Sequence, residues 1–298
     1  MRDLPPVLRG LPPSMPVLLT GPTASGKSAL ALAFAASQGR AVVNADALQV
    51  HDAWRVLTAR PSVDDEAAAP HHLYGHVPWG MPHSVGHWLR EVTPLLERDP
   101  APVVVGGTGL FLSALTEGLA RMPEVPPDVR READAVLTAR GIKAMADALD
   151  EETRVRIDTR NPARVRRAWE VLRHTGTGLA RWQDETGPPV LPFGDAAAFV
   201  IEAPKEILTP RIERRFDAML AAGAAAEVAA VLPRWDPALP AARAIGAAEL
   251  VAVSRGELTL AEARRRVVVA TRRYAKRQRT WFKSRMAHWT HLPMSDGS

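Results

Sequence analysis

The sequence predicts an α/β protein, a parallel sheet built around a phosphate-binding loop and interrupted by a helical insertion. Three observations predict it. First, residues 21–28 read Gly21-Pro22-Thr23-Ala24-Ser25-Gly26-Lys27-Ser28, a fit to G-x-x-x-x-G-K-[ST]. An apolar run over 17–20 precedes that loop and a helix-forming run over 29–35 follows it, the order the motif requires. Second, the apolar runs 41–46 and 103–105 end on Asp46 and on the turn Gly106-Gly107-Thr108-Gly109. Buried parallel strands read as continuous apolar runs, and ligands gather at their carboxyl ends. Third, from about residue 121 strand-like runs give way to a charged, helical pattern. The expected architecture is a P-loop NTPase-like core over 1–120 and 198–298, ending in basic helices, with a helical insertion over 121–197.

The loop carries the first chemistry. Its glycines let successive N–H groups turn inward around an anion, and the following helix N-terminus adds partial positive charge. Lys27 is placed to neutralise a terminal phosphate, and the Ser28 hydroxyl to coordinate Mg²⁺. The motif indicates a di- or triphosphate ligand, as in ATP-binding and other nucleotide-binding proteins, without saying which. Asp46 falls at the same sheet edge, where it could cap a helix, ligate Mg²⁺ or accept a proton.

Further along, His71, His72, His76, His83 and His87 cluster in sequence. Their spacing is irregular and no carboxylate partner is evident, which favours structural or surface histidines over a metal site. A helix is expected over 84–96 and another over 110–119, the latter after the glycine turn, where Thr108 could offer its hydroxyl to a ligand. The break Met122-Pro123-Glu124-Val125-Pro126-Pro127 opens the insertion. Inside it Asn161 reads as an N-cap and Pro162 as the first helical residue. Val165, Ala168, Trp169 and Leu172 then form an apolar stripe, while Arg164 and Arg167 share another face. A strand returns at 198–201, helices open at 211 and 243, and residues 293–298 read as a frayed tail.

Composition bounds the function. The 298 residues are 46% hydrophobic, enough for a sizeable core, and contain no cysteine, which excludes disulfides and thiolate metal sites. No apolar stretch is long enough for a signal peptide or a membrane span, so a cytoplasmic protein is expected. The net charge is +5. Between Glu262 and Asp296 there is no acidic residue, but there are ten Lys or Arg: Arg264, Arg265, Arg266, Arg272, Arg273, Lys276, Arg277, Arg279, Lys283 and Arg285. A polyanionic partner or a solvated basic face would both account for that run.

Taken together, the motifs resemble the bacterial tRNA dimethylallyltransferases. The resemblance rests on the loop at 21–28, Asn-Ala-Asp-Ala-Leu-Gln-Val at 44–50, His-His-Leu at 71–73 and Val-Gly-Gly-Thr-Gly-Leu at 105–110. It continues through Asn-Pro-Ala-Arg-Val-Arg-Arg-Ala at 161–168, Arg-Ile-Glu-Arg-Arg-Phe at 211–216 and Thr-Arg-Arg-Tyr-Ala-Lys-Arg-Gln at 271–278. It implies transfer of a dimethylallyl group from dimethylallyl diphosphate to N6 of the adenosine 3′ of a tRNA anticodon, with Mg²⁺, by a monomer whose insertion grips the anticodon stem-loop. By the same resemblance Gly21 to Ser28 and Arg215 hold the diphosphate, with Thr23, Lys27 and Arg215 acting in catalysis alongside Asp46, the general base. Asp46, Ala47, Leu48, Gln49, Thr108, Arg130, Ala163, Arg164, Val165, Arg166, Arg167, Arg243, Ala244, Ile245, Gly246, Ala247 and Ala248 match tRNA-contacting stretches.

Departures from the family pattern are His51 and Phe111 in place of tyrosines, Ala247-Ala248 in place of an aromatic–basic pair, and no C-terminal zinc finger of the kind eukaryotic relatives carry. Two rival readings differ in kind. A small-molecule P-loop kinase would share the loop and sheet without needing the basic stretches. A non-catalytic tRNA-binding protein would not need Asp46 beside a complete loop.

Overall fold

A computed structural model describes residues 4–294. The chain runs α1 (Pro6–Arg9), β1 (Val17–Thr20), α2 (Lys27–Gln38), β2 (Val42–Asn44), α3 (Val63–Ala68), β3 (His71–His72), α4 (Val85–Leu96), β4 (Val103–Gly106) and α5 (Gly109–Glu117). Four helices follow: α6 (Pro127–Asp147), α7 (Glu151–Arg156), α8 (Pro162–Thr175) and α9 (Leu179–Asp184). Then come β5 (Ala197–Glu202), α10 (Lys205–Ala221), α11 (Ala224–Val231), α12 (Ala247–Ser254), α13 (Leu260–Arg285) and β6 (Thr290–Pro293).

The strands form one parallel sheet in the order β3-β2-β4-β1-β5-β6. Alternation along each strand sends residues to opposite faces. Leu18, Val43, Val104 and Val200 join Trp88, Leu112 and Phe282 on one side. Val17, Leu19, Val42, Val103, Val105 and Phe199 join Phe34 and Leu8 on the other. Both faces are covered, which is why these strands carry no polar alternation. The α/β fold class expected from the sequence is the one observed.

The chain divides into two compact units, 1–116 with 190–298, and 117–189. The division falls a few residues before the expected 121 and 197. Segment 190–196 belongs to the sheet unit because Leu191 packs in its core and its N–H donates to the Leu115 carbonyl at 3.0 Å. The second unit is helical throughout its regular elements, around Val125, Met145, Val165, Ala168 and Trp169. Its helix α8 starts as the sequence predicts: Pro162 is the first residue, and Asn161 Oδ1 accepts from the Ala163 and Arg164 N–H groups at 3.1 and 3.3 Å.

Local differences have local causes. The strand expected to run to Asp46 ends at Asn44, whose side chain turns back to bond the Asp46 N–H and carbonyl. Ser84 caps α4 rather than beginning it. Pro293, expected in a frayed tail, pairs with Glu202, while residues 295–298 of that tail lie outside the described residues. Among the described residues no single helix is long and apolar enough to cross a membrane.

Candidate active site

The loop after β1 turns at Ala24 and Gly26, both left-handed with φ of 65° and 86°. Gly21 has a different role. A Cβ there would come within 2.9 Å of Ser25 Oγ and 3.0 Å of Ile201 Cβ, so no larger residue fits between loop and β5. The Ser25 hydroxyl is buried without a hydrogen-bond partner, a donor that an anion in the loop could use. Lys27 and Ser28 open α2, where unpaired N–H groups and the helix dipole favour negative charge.

Two distant segments complete the loop. Arg215, on α10, donates to Thr23 Oγ1 at 3.1 Å. Gln278, on α13 and only 5% exposed, accepts from the Thr23 N–H at 2.8 Å and donates to the Gly107 carbonyl at 2.9 Å. It thereby joins the P-loop to the glycine turn after β4. Burial, and secondarily the Arg215 guanidinium, pull the Lys27 ammonium down to about 8, against the opposing pull of Asp46. Burial also lowers Arg215, while Asp46 supports its charge.

Asp46 is held on one side only. Its Oδ1 accepts from the Leu48 N–H at 3.0 Å, an Asx-type turn rather than a helix cap. Its Oδ2 faces Gly107, where a Cβ would approach to 3.2 Å. Thr108 is engaged with the protein, its hydroxyl oxygen accepting from the Ala47 N–H at 3.0 Å. Gln49 is engaged too, donating to the carbonyls of Thr58 and Ala59.

These groups meet in one cavity. Thr23, Lys27, Ser28, Asp46, Arg215 and Gln278 form a polar end, and Leu57, Ile212, Phe216, Met219, Ile245 and Val267 an apolar wall. Tyr274 and Thr271 also line it, and burial together with Asp46 raises the Tyr274 hydroxyl. Gln278, Tyr274, Thr271 and, apart from Ile245, the apolar wall are absent from the site residues the sequence predicts. Gln278 and Tyr274 sit in the quoted motif 271–278, but the arginines around them dominate its pattern. Ser28 and Asp46 bring a hydroxyl and a carboxylate to the same space, hard oxygen donors that fit Mg²⁺.

The expected tRNA-contacting residues separate by exposure. Arg130, Ala163, Arg164, Arg243 and Ala248 are exposed. Val165, Ala244, Gly246 and Ala247 are buried, and the Val165, Ala244 and Ala247 side chains pack in the core. Ile245 lines the cavity. Arg166 pairs with Glu170 and Asp134, and Arg167 is partly buried. On α13, Arg264 pairs with Asp217, and Arg265 and Arg266 with Glu262. Arg272, Arg273, Lys276 and Arg279 instead line an open groove with Lys205 of α10. Of the departures, His51 is buried and Phe111 stacks on Trp88 with ring centres 4.8 Å apart. The histidines also differ from expectation, because the fold supplies the missing carboxylate: Glu91 accepts from both His76 and His83.

Comparison with known proteins gives the family. Residues 49–285 match the family described as IPP transferase. A tRNA dimethylallyltransferase of Dinoroseobacter shibae is 62% identical over 290 residues, 97% of this chain and 98% of the relative. The full-length tRNA isopentenylpyrophosphate transferase of Bacillus halodurans superposes with a TM-score of 0.66 at 29% identity, covering 96% of this chain and 91% of the other. A eukaryotic dimethylallyltransferase solved acting on tRNA shares the fold, with a TM-score of 0.78 at 22% identity over 95% and 74% of the two chains. With that extent of match across nearly its whole length, the chain belongs to the IPP transferase family.

Proposed function

We propose that this chain transfers a dimethylallyl group from dimethylallyl diphosphate to N6 of the adenosine immediately 3′ of the anticodon in tRNA. The observation that carries the reading is the cavity's division into a cationic, P-loop end and an apolar wall. A diphosphate attached to a short branched hydrocarbon needs both, whereas the phosphates and polar base of ATP have less use for Ile212, Phe216, Met219 and Val267.

In the reaction the bond between the allylic carbon and the diphosphate oxygen breaks, and a bond forms from N6 to that carbon. Lys27, Arg215 and the loop donors are oriented before the reaction, so they stabilise charge as it develops on the leaving oxygens. The adenine amine is a weak nucleophile and must be held in line with the carbon. Asp46 Oδ2, free of the turn that fixes Oδ1, takes the N6 proton. Gln278 holds the loop and the glycine turn at fixed separation. Ser28 would hold Mg²⁺ at this end of the cavity, and the ion, when bound, would supply positive charge to the leaving group. The target base must leave the anticodon-loop stack to reach the cavity. Arg130, Arg164 and the exposed cations of α13 supply the phosphate contacts that hold the stem-loop.

The test is incubation with tRNA and labelled dimethylallyl diphosphate followed by nucleoside analysis. Label in N6-dimethylallyladenosine supports the reading. A melting temperature raised by ATP and not by dimethylallyl diphosphate, with no label transferred, favours the kinase.

A further inference from the structure

The loop between β3 and α4 carries a second constellation, made of residues that do not line the P-loop cavity. His76 Nε2 and His83 Nε2 lie 3.1 and 3.0 Å from the same oxygen, Glu91 Oε2, and the three donor atoms fall within 4.8 Å of one another. Two imidazoles and a carboxylate are the donor set of borderline divalent ions, zinc above all, and not of Mg²⁺, which prefers oxygen alone. With metal–ligand bonds of about 2.0–2.2 Å, a tetrahedral ion holds its donors about 3.3–3.5 Å apart. The two observed spacings are shorter by only a few tenths of an ångström, so small rotamer adjustments would admit the ion.

The surroundings suit such a site. The His83 side chain is 5% exposed, whereas those of His76 and Glu91 are 31% and 35% exposed. The set is therefore anchored on one side and open to water on the other, leaving room for entry and for a solvent ligand. His87 is committed elsewhere, its Nδ1 bonded to Ser84 in the cap of α4. The loop is itself stitched to the segment after β2: the Gly75 N–H donates to the Gln49 carbonyl and the Val77 N–H to the Val50 carbonyl, both at 2.9 Å. His76 lies between those two anchors, and Gln49 lines the P-loop cavity. An ion here would cross-link α4 to the backbone that carries one wall of that cavity.

We propose that His76, His83 and Glu91 form a binding site for a zinc-type divalent cation that clamps the loop 73–83 to α4. The alternative is a carboxylate shared by two imidazole N–H groups with no affinity for metal. Removing Glu91 weakens the structure under either reading, so the deciding measurement is metal binding itself. Tag-free full-length protein, stripped with chelator, is titrated with Co²⁺ followed by visible absorption, and with Zn²⁺ by equilibrium dialysis. One equivalent is expected in the wild type, unmoved by a hundredfold excess of Mg²⁺. His76→Asn and Glu91→Gln should each weaken it at least tenfold, while His72→Asn leaves it unchanged. Zn²⁺ should raise the melting temperature of the wild type but not of Glu91→Gln. His76→Asn alters a partly exposed loop position and keeps a folded protein for the comparison. No bound equivalent at micromolar Zn²⁺ would overturn the proposal, as would an equivalent retained in both variants.

Discussion

Lys27 offers a quantitative handle on the donor site. In the free protein its ammonium is pulled down to about 8, from an ordinary 10.5, by burial and by Arg215. A diphosphate placed against it supplies the missing opposite charge and should restore the ordinary value. Binding above pH 8 must then be accompanied by proton uptake. With 8 for the free site and 10.5 for the bound one, uptake at pH 9 is about 0.9 proton, and the apparent Kd is about tenfold weaker at pH 9 than at pH 7. At pH 9.5 the loss reaches about 30-fold. The assay is calorimetric titration with dimethylallyl diphosphate in two buffers of different ionisation enthalpy, across pH 7 to 9.5. Lys27→Met should bind more weakly with a nearly flat profile, which separates Lys27 from titrations of the donor itself. A wild-type Kd that changes less than about twofold between pH 7 and 9, or an equal slope in Lys27→Met, would refute the reasoning. The same depression has a sign for stability. Between pH 8 and 10.5 the unfolded chain holds a proton at Lys27 that the folded one has released, so this group's contribution to stability rises across that window. Bound diphosphate should remove the rise.

Three other outcomes are expected. Asp46→Asn should slow single-turnover transfer by ~10²–10⁴ with donor affinity nearly unchanged; weakened Mg²⁺-dependent donor binding, rescued by excess metal, would make Asp46 a metal ligand instead. Glu227 accepts from the N–H groups of Arg55, Val56 and Leu57 at 2.5, 2.7 and 2.9 Å, holding the segment that brings Leu57 to the cavity. Glu227→Ala should therefore cost about 3 kcal/mol in denaturant unfolding, and a loss under about 0.5 kcal/mol would show those amides to be satisfied otherwise. Affinity for tRNA should fall steeply with salt, and neutralising Arg272, Arg273, Lys276 and Arg279 should reduce the log–log slope by about 0.7–0.9 for each phosphate no longer neutralised; an unchanged slope would leave that groove a solvated face.

What the sequence made legible is what backbone physics decides locally. The phosphate loop, the apolar strands and the Asn161-Pro162 helix start each depend on a few adjacent residues, and each stands where the sequence puts it. Exposure within a helix was half legible. The stripe of Val165, Ala168, Trp169 and Leu172 identified the buried face of α8, yet the motif at 161–168 also places Val165 among the tRNA-facing residues, because a motif spans every face of a helix. The arginines of α13 read alike in sequence, whereas Asp217 and Glu262 neutralise three of them and leave others to the groove. Glu91 was invisible as a partner of the histidines because the cluster forms only when the loop after β3 folds back over α4.

The P-loop itself illustrates the remainder. Its motif specifies donors for an anion, but the Thr23 N–H is already donated to Gln278, 255 residues away, and its hydroxyl oxygen accepts from Arg215, 192 residues away. The amide is therefore committed to the protein, whereas the hydroxyl keeps its own hydrogen, so an anion has the Thr23 O–H, the Ser25 hydroxyl, the first N–H groups of α2, and Lys27 as donors. These commitments have a consequence for assembly. The Gln278 bonds exist only when α13 is packed against the sheet, because one side-chain amide bridges the loops that follow β1 and β4. Those two strands are neighbours in the sheet, and Asp46 lies beside the second loop, with Gly107 too close to accept a side chain without displacing Gln278. Docking of the C-terminal helix thus sets the spacing between the phosphate cradle and the carboxylate. A motif read in isolation carries neither that spacing nor the apolar wall contributed by the same late segments of the chain.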